Sequence, residues 1–191
     1  MAVVGTAADP TSSPAGSPAF SVGVGSAGSA QVIVDVVGWY STDLAIDGGD
    51  LRFHAMAPVR IVDTRGGLGL AHPLGVAVAA TVTAPGGVGD FDTRALAANV
   101  TALADPAVTY LSVYPGPAVP NTSSLNVAPS ATASNMVMTG LASGTRTFGI
   151  RNAFGTVQVV VDVFGYFDAP PVASVSLVTD LSTVQADQLL T

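Results

Sequence analysis

The chain has no cysteine, no lysine and no glutamate among its 191 residues. The first absence excludes disulfides and thiolate metal sites and leaves the redox compartment open. Without lysine, the Lys–Asn isopeptide bonds that cross-link some pilus stalks cannot form. Without glutamate, a glycosidase carboxylate pair would need two aspartates in a cleft, and Asp90 and Asp92 sit in a Gly-rich turn. Charge of any sign is scarce, at 10% of residues, and aromatics make up 6%. The six Arg are outweighed by Asp, giving a net charge of −7 and a pI of about 4.3. Nucleic acid needs clustered cations, so it is excluded as a partner, and an anionic membrane is disfavoured on the same ground. No apolar run approaches the ~20 residues that span a bilayer, so membrane insertion is not expected. Residues 1–5 show neither the basic stretch nor the apolar run of a secretory signal.

What the chain has is β-forming sequence. It is 49% hydrophobic, with 21 Gly and 13 Pro distributed as punctuation. Short runs of Val, Ala and Thr broken by Gly, Pro, Asn and Ser predict an all-β protein. Turn signals at 66–67, 85–87, 105–106, 115–117, 120–121, 129–130, 143–144 and 152–155 delimit about eight strands. These are 59–64, 76–84, 95–103, 108–114, 123–128, 135–141, 146–151 and 156–167. Such regular spacing favours a β-sandwich or barrel, and we expect a sandwich. Only 94–103 carries a weak helical period.

The segment VIVDVVGWY at 32–40 returns as VVVDVFGYF at 159–167, with Gln31 matching Gln158 and Gly28 matching Gly155. Agreement at one fixed offset is the mark of an internal repeat. The second copy closes a long β-rich region, whereas only about 30 residues precede the first. The expected organisation is therefore 1–41 as the C-terminal part of a preceding unit, 42–50 (TDLAIDGGD) as a linker, and 51–167 as a whole unit. Residues 168–191 form a second linker and further strands. The strands in 1–41 should pack on missing chain or on a neighbouring subunit, because unpaired edges seek partners.

An aspartate recurs inside this apolar run. Side chains alternate along a strand, so Val157, Val159, Val161 and Val163 should face the core while Asp162 lies on a mixed face. A part-buried carboxylate needs a partner. Arg60 and Arg65 bracket Asp63 in RIVDTR, and a guanidinium can meet a carboxylate through two hydrogen bonds. We expect Asp162 to pair with Arg65 or Arg60, tying the first strand to the last. The alternative, calcium held by Asp63 and Asp162, lacks the oxygen-rich loop that this ion demands. Gly165 should mark a bulge or a close backbone approach.

No catalytic set emerges, and no enzyme, cofactor or metal is expected. A metal site needs three or four convergent ligands, which the surroundings of His54 and His72 do not offer in sequence. No Gly-x-Ser-x-Gly elbow is present, and Gly66-Gly-Leu-Gly69 lacks the Lys and helix of a phosphate loop. The patterns at Asn99 and Asn121 match glycosylation acceptors, but amides near strands more simply satisfy loop backbone. Trp39, Tyr40, Tyr110, Tyr114 and Tyr166 are candidate platforms for a sugar ring, although a pair such as Tyr166-Phe167 more often plugs the end of a sandwich or rests on the next module.

Six motifs come in one order: RIVDTR at 60–65, NVT at 99–101, YLSVYP at 110–115, SSLN at 123–126, ASN at 133–135 and VVVDVFGYF at 159–167. This series resembles a β repeat domain of secreted and surface proteins from actinobacteria and neighbouring phyla. The tail from Pro171 is similar to the opening strands of a bacterial immunoglobulin-like domain; a short helix capped at Ser182 is the alternative. The resemblance implies an extracellular, non-enzymatic, structural or adhesive module at the cell surface or in a surface filament. Its partners would be neighbouring modules, copies of itself in an assembly, and a glycan. A carbohydrate- or wall-binding module is one alternative. A phage tail or decoration protein is another, consistent with the absence of a visible signal peptide.

Overall fold

The computed structural model describes residues 51–169 continuously, together with 7–9, 17–20 and the single positions 22, 29, 31, 32, 34 and 36. Two short strands, β1 (Ala7–Asp9) and β2 (Ser17–Ala19), pair antiparallel. Eight more follow: β3 (Arg52–Asp63), β4 (Ala79–Thr83), β5 (Thr93–Ala104), β6 (Thr109–Pro115), β7 (Leu125–Val127), β8 (Thr132–Gly140), β9 (Thr147–Asn152) and β10 (Val157–Asp168). They build two four-stranded antiparallel sheets, ordered β3-β10-β5-β8 and β4-β9-β6-β7. Aliphatic side chains of both sheets share one core, which includes Val62, Leu96 and Val161 from the first and Val82, Leu111 and Ile150 from the second. The protein is thus all-β, and these eight strands form a sandwich.

β10 is the strand on which the first sheet is organised, paired along its length with β3 on one side and β5 on the other. Val157, Val159, Val161 and Val163 alternate into the core and are fully buried. Between Val163 and Gly165 the register slips against both neighbours: Phe164 is extra against β5, whereas residues 56–58 of β3 span the same step. A bulge of this kind reverses which residues face inward. Tyr166 accordingly packs on the core, and Phe167 meets Phe53 at a ring separation of 5.1 Å. Gly165 is required here, since a Cβ would lie 2.3 Å from the Phe53 ring.

Two expectations from sequence need correcting. β3 begins at Arg52 rather than near residue 59, because residues 52–55 pair with 165–168. Pro58 lies within it, in the 56–58 stretch that pairs with no residue of β10, where a residue without an N–H removes no ladder bond. The helical period at 94–103 is overridden: the segment is a strand flanked on both sides, with Ala97 and Ala98 both buried. Small side chains covered on two faces lose the alternation that marks a half-buried strand.

One consequence of the topology positions everything functional. Arg52 at the start of β3 lies directly opposite Asp168 at the end of β10. The chain comes in and leaves at the same end of the sandwich, the near end. The opposite, far end carries the β3–β4, β5–β6 and β9–β10 connections and the start of β8.

Candidate functional site

The charged residues singled out from sequence form one alternating row on the β3–β10 edge. Arg60 Nε donates to Asp162 Oδ1 at 2.8 Å and its Nη2 to Asp162 Oδ2 at 3.1 Å. Its Nη1 reaches Asp63 Oδ2 at 3.2 Å. Arg65 binds Asp63 through Nε at 2.8 Å and Nη2 at 2.7 Å, with its backbone N–H on the same carboxylate. The guanidinium on Asp162 is therefore that of Arg60, and Arg65 is committed to Asp63. The Arg65 hydrogen bonds hold the Asp63 carboxyl at a pKa of about 2, well below its usual range. Arg60 and Arg65 are both held still more firmly protonated, chiefly by the hydrogen bonds to Asp162 and Asp63 respectively. Both aspartates face cations, which leaves no oxygen-lined cradle at this row for calcium. Beneath it, the Thr64 hydroxyl donates to Gln158 Oε1 at 2.6 Å and accepts from the Val159 N–H at 2.9 Å.

The aromatic candidates separate. Trp39 and Tyr40 lie outside the described residues. Tyr114 is buried, its ring lying across Gly149 so closely that a Cβ there would sit 2.4 Å away; it presents no platform. Tyr166 is stacked on His54, with ring centroids 5.0 Å apart and 9° between planes. His54 Nε2 lies 3.3 Å from Asp168 Oδ2. This cluster seals the near end rather than opening a groove.

Tyr110 is different. Its ring meets Phe154 edge-on at 6.1 Å, and Val108 and Phe154 are exposed beside it. With Asn126, Val127 and Ala128 of β7 and its following turn, they line a hollow of about 460 Å³ at the far end. Apolar rings with one amide at the rim are the means by which a surface holds an uncharged polar ring.

A residue not singled out from sequence supports this hollow. Asn152 ends β9 and is completely buried. Its Nδ2 lies 3.0 Å from each of four carbonyls, those of Leu74, Gly75, Phe154 and Gly155. Its Oδ1 accepts from the Thr109 hydroxyl at 2.6 Å, and that hydroxyl accepts from the Phe154 N–H at 3.0 Å. One amide thereby pins the loop bearing Phe154 against the start of β6, next to Tyr110. Phe154 escaped notice because it lies inside a segment that reads only as a turn.

Among the described residues no three His or Asp side chains are grouped as metal ligands, and no helix is long and apolar enough to cross a membrane. Compared with protein-family models, with curated proteins and with solved structures, the chain finds no significant match in any of the three.

Proposed function

We propose that residues 51–169 are a non-catalytic structural and adhesive module of an extracellular protein, a tandem unit of a surface protein or surface filament. The observation that carries this reading is the role of the repeated segment. The copy at 159–167 is β10, with its valines in the core and its aspartate bound to the edge strand through Arg60. What the chain repeats is thus a means of building a sheet and not a set of reactive groups. In the first copy Val32, Val34 and Val36 belong to no strand and are exposed, where Val159, Val161 and Val163 are buried. We read that copy as the closing part of a preceding unit, completed by a neighbouring unit or subunit.

The test is surface labelling of the producing cells with antibody against residues 51–169, followed by protease shaving. Labelling of intact cells and release by shaving are expected. Confinement to the cytosol would overturn the reading, and recovery on released phage particles would move the module to a virion.

A second reading, carbohydrate or wall binding, is favoured specifically by the Tyr110–Phe154 hollow. Retention of the full chain on a glycan array, lost on Phe154→Ser, would support it.

A further inference from the structure

We propose that a second pocket, at the near end of the sandwich, binds a carboxylate-bearing sugar ring of the uronic acid class. It lies between the β4–β5 connection and the β8–β9 turn and encloses about 270 Å³, room for one monosaccharide. Phe91, Arg94, Leu141, Ser143, Thr145 and Arg146 line it. This site is separate from the Tyr110 hollow and does not depend on that hollow binding anything.

Four features point the same way. Cations are scarce in this chain, yet two of its six Arg converge here. Neither is consumed by a tight ion pair. Arg94 has only the exposed Asp92 at 3.9 Å and the Phe91 carbonyl at 3.4 Å. Arg146 has no carboxylate within 4.0 Å among the described residues; its Nη2 donates to the Val88 carbonyl, and its buried Nε has no hydrogen-bond partner. Arg60 and Arg65, by contrast, are each bonded directly to a carboxylate.

The third feature is backbone. Arg146 closes the β8–β9 turn at φ 55°, in the left-handed region where glycine is unstrained and arginine is not. Its N–H donates to the Ala142 carbonyl at 3.2 Å and its carbonyl accepts from Ala84 at 3.0 Å. Strain retained at a loop residue is a recurrent sign of a functional position. Finally, Phe91 is 91% exposed, the most exposed of the large apolar side chains described. A flat ring beside guanidinium groups and two hydroxyl side chains suits a pyranose carrying a carboxylate. The ring covers the apolar sugar face, while a planar guanidinium takes the carboxylate oxygens in pairs.

The test titrates the full chain with trigalacturonic acid by calorimetry, and in parallel with its methyl ester, with inorganic phosphate and with the peptide TDLAIDGGD. Saturable binding of the acid and about tenfold weaker binding of the ester are expected. Arg146→Gly separates site from scaffold, because it removes the cation and relieves the backbone together. We expect it to weaken binding about tenfold or more while leaving Tm unchanged or raised. Phe91→Ser should weaken the sugar and leave any weak phosphate binding unaltered. No saturation by about 10 mM acid, or undiminished binding by the ester or by Arg146→Gly, overturns the proposal. So does phosphate binding as tightly as the acid. Preference for the peptide would reassign the pocket to the chain's own linker and likewise overturn it.

Discussion

Replacing Asn152 by Asp changes one NH₂ into one oxygen and leaves the shape of the side chain intact, so its effect isolates the chemistry at that point. In the native protein the amide offers two hydrogens to four carbonyls at 3.0 Å. A carboxylate would set an anionic oxygen against those same four oxygens, with no water to intervene at a completely buried position. Burial and neighbouring negative ends both disfavour the charged form, so the Asp pKa in the folded state must rise. The folded protein then binds more protons than the unfolded one, and stability falls as pH rises above the unfolded value of ~3.9. Lost and unsatisfied hydrogen bonds contribute about 2 kcal/mol at any pH. Keeping the acid protonated adds ~1.4 kcal/mol per pH unit, or up to ~4 kcal/mol near pH 7. The total, up to about 6 kcal/mol near neutrality and about 2 near pH 4, compares with ~5–15 kcal/mol for a whole domain. Urea denaturation from pH 4 to pH 7 should therefore show the variant weakening steeply with pH. Asn152→Ala, which introduces no charge, should show a loss that does not steepen. A variant as stable as the parent at pH 7, or a loss independent of pH, would refute the assignment of this amide as the pin of the far end.

The remaining predictions are shorter. Asp63, held near a pKa of about 2 by Arg65, contributes stability that is complete above its unfolded pKa and is lost as pH falls from about 4 towards 2; Asp63→Asn should flatten that part of the acid-unfolding profile. Arg60→Gln and Asp162→Asn should each lower Tm slightly, and the double variant no more than Arg60→Gln alone. Hydrogen exchange of the β3 amides should accelerate in all three. Gly149→Ala drives a Cβ into the Tyr114 ring and should cost about 1–3 kcal/mol, with Tyr114→Ala in the same chain recovering part of the loss. Pulled by its ends, residues 52–168 should open at low force with about 400 Å of released chain, because β3 and β10 would unzip one hydrogen bond at a time.

The existence of the sandwich was legible because its strands are short, rich in β-branched residues and separated by Gly and Pro. Eight strands were expected and eight form the two sheets. Their ends were less legible. The first half of β3 pairs with the post-bulge part of β10, and nothing local to 52–58 announces a partner more than a hundred residues away. The valine face of β10 was visible in a period of two, since one face of that strand is wholly apolar. The far-end hollow was half visible: Tyr110 stands out as an aromatic in a strand, while Phe154 and Asn152 matter only because the β9–β10 turn folds back on β6. The pairing of Phe91 with Arg94 and Arg146 was not visible at all. Two loops, one leading from each sheet, meet there, and sequence spacing does not record their approach.

The position of the chain ends constrains how such units can be joined. A module whose ends lie at opposite poles extends a string and bears tension along it. Here Arg52 and Asp168 face each other across one ladder, so in the tandem string proposed above both links to neighbouring units would leave from the near end. Tension passing along the chain would cross that end and leave the body of the sandwich aside. In such a string the unit would hang as a pendant, with Arg94 and Arg146 at the end where the chain enters and leaves and Tyr110 and Phe154 at the opposite end. The Arg60–Asp162 pair acquires a purpose in this geometry. It ties β3, the strand that unzipping would reach first, to β10, at a point eight residues into β3. Opening that begins at the chain ends meets this bidentate pair before it reaches Val161 and Val159 of the core. An ion-pair row on an edge strand adds little to equilibrium stability, and here its value is to stop fraying from travelling into the core.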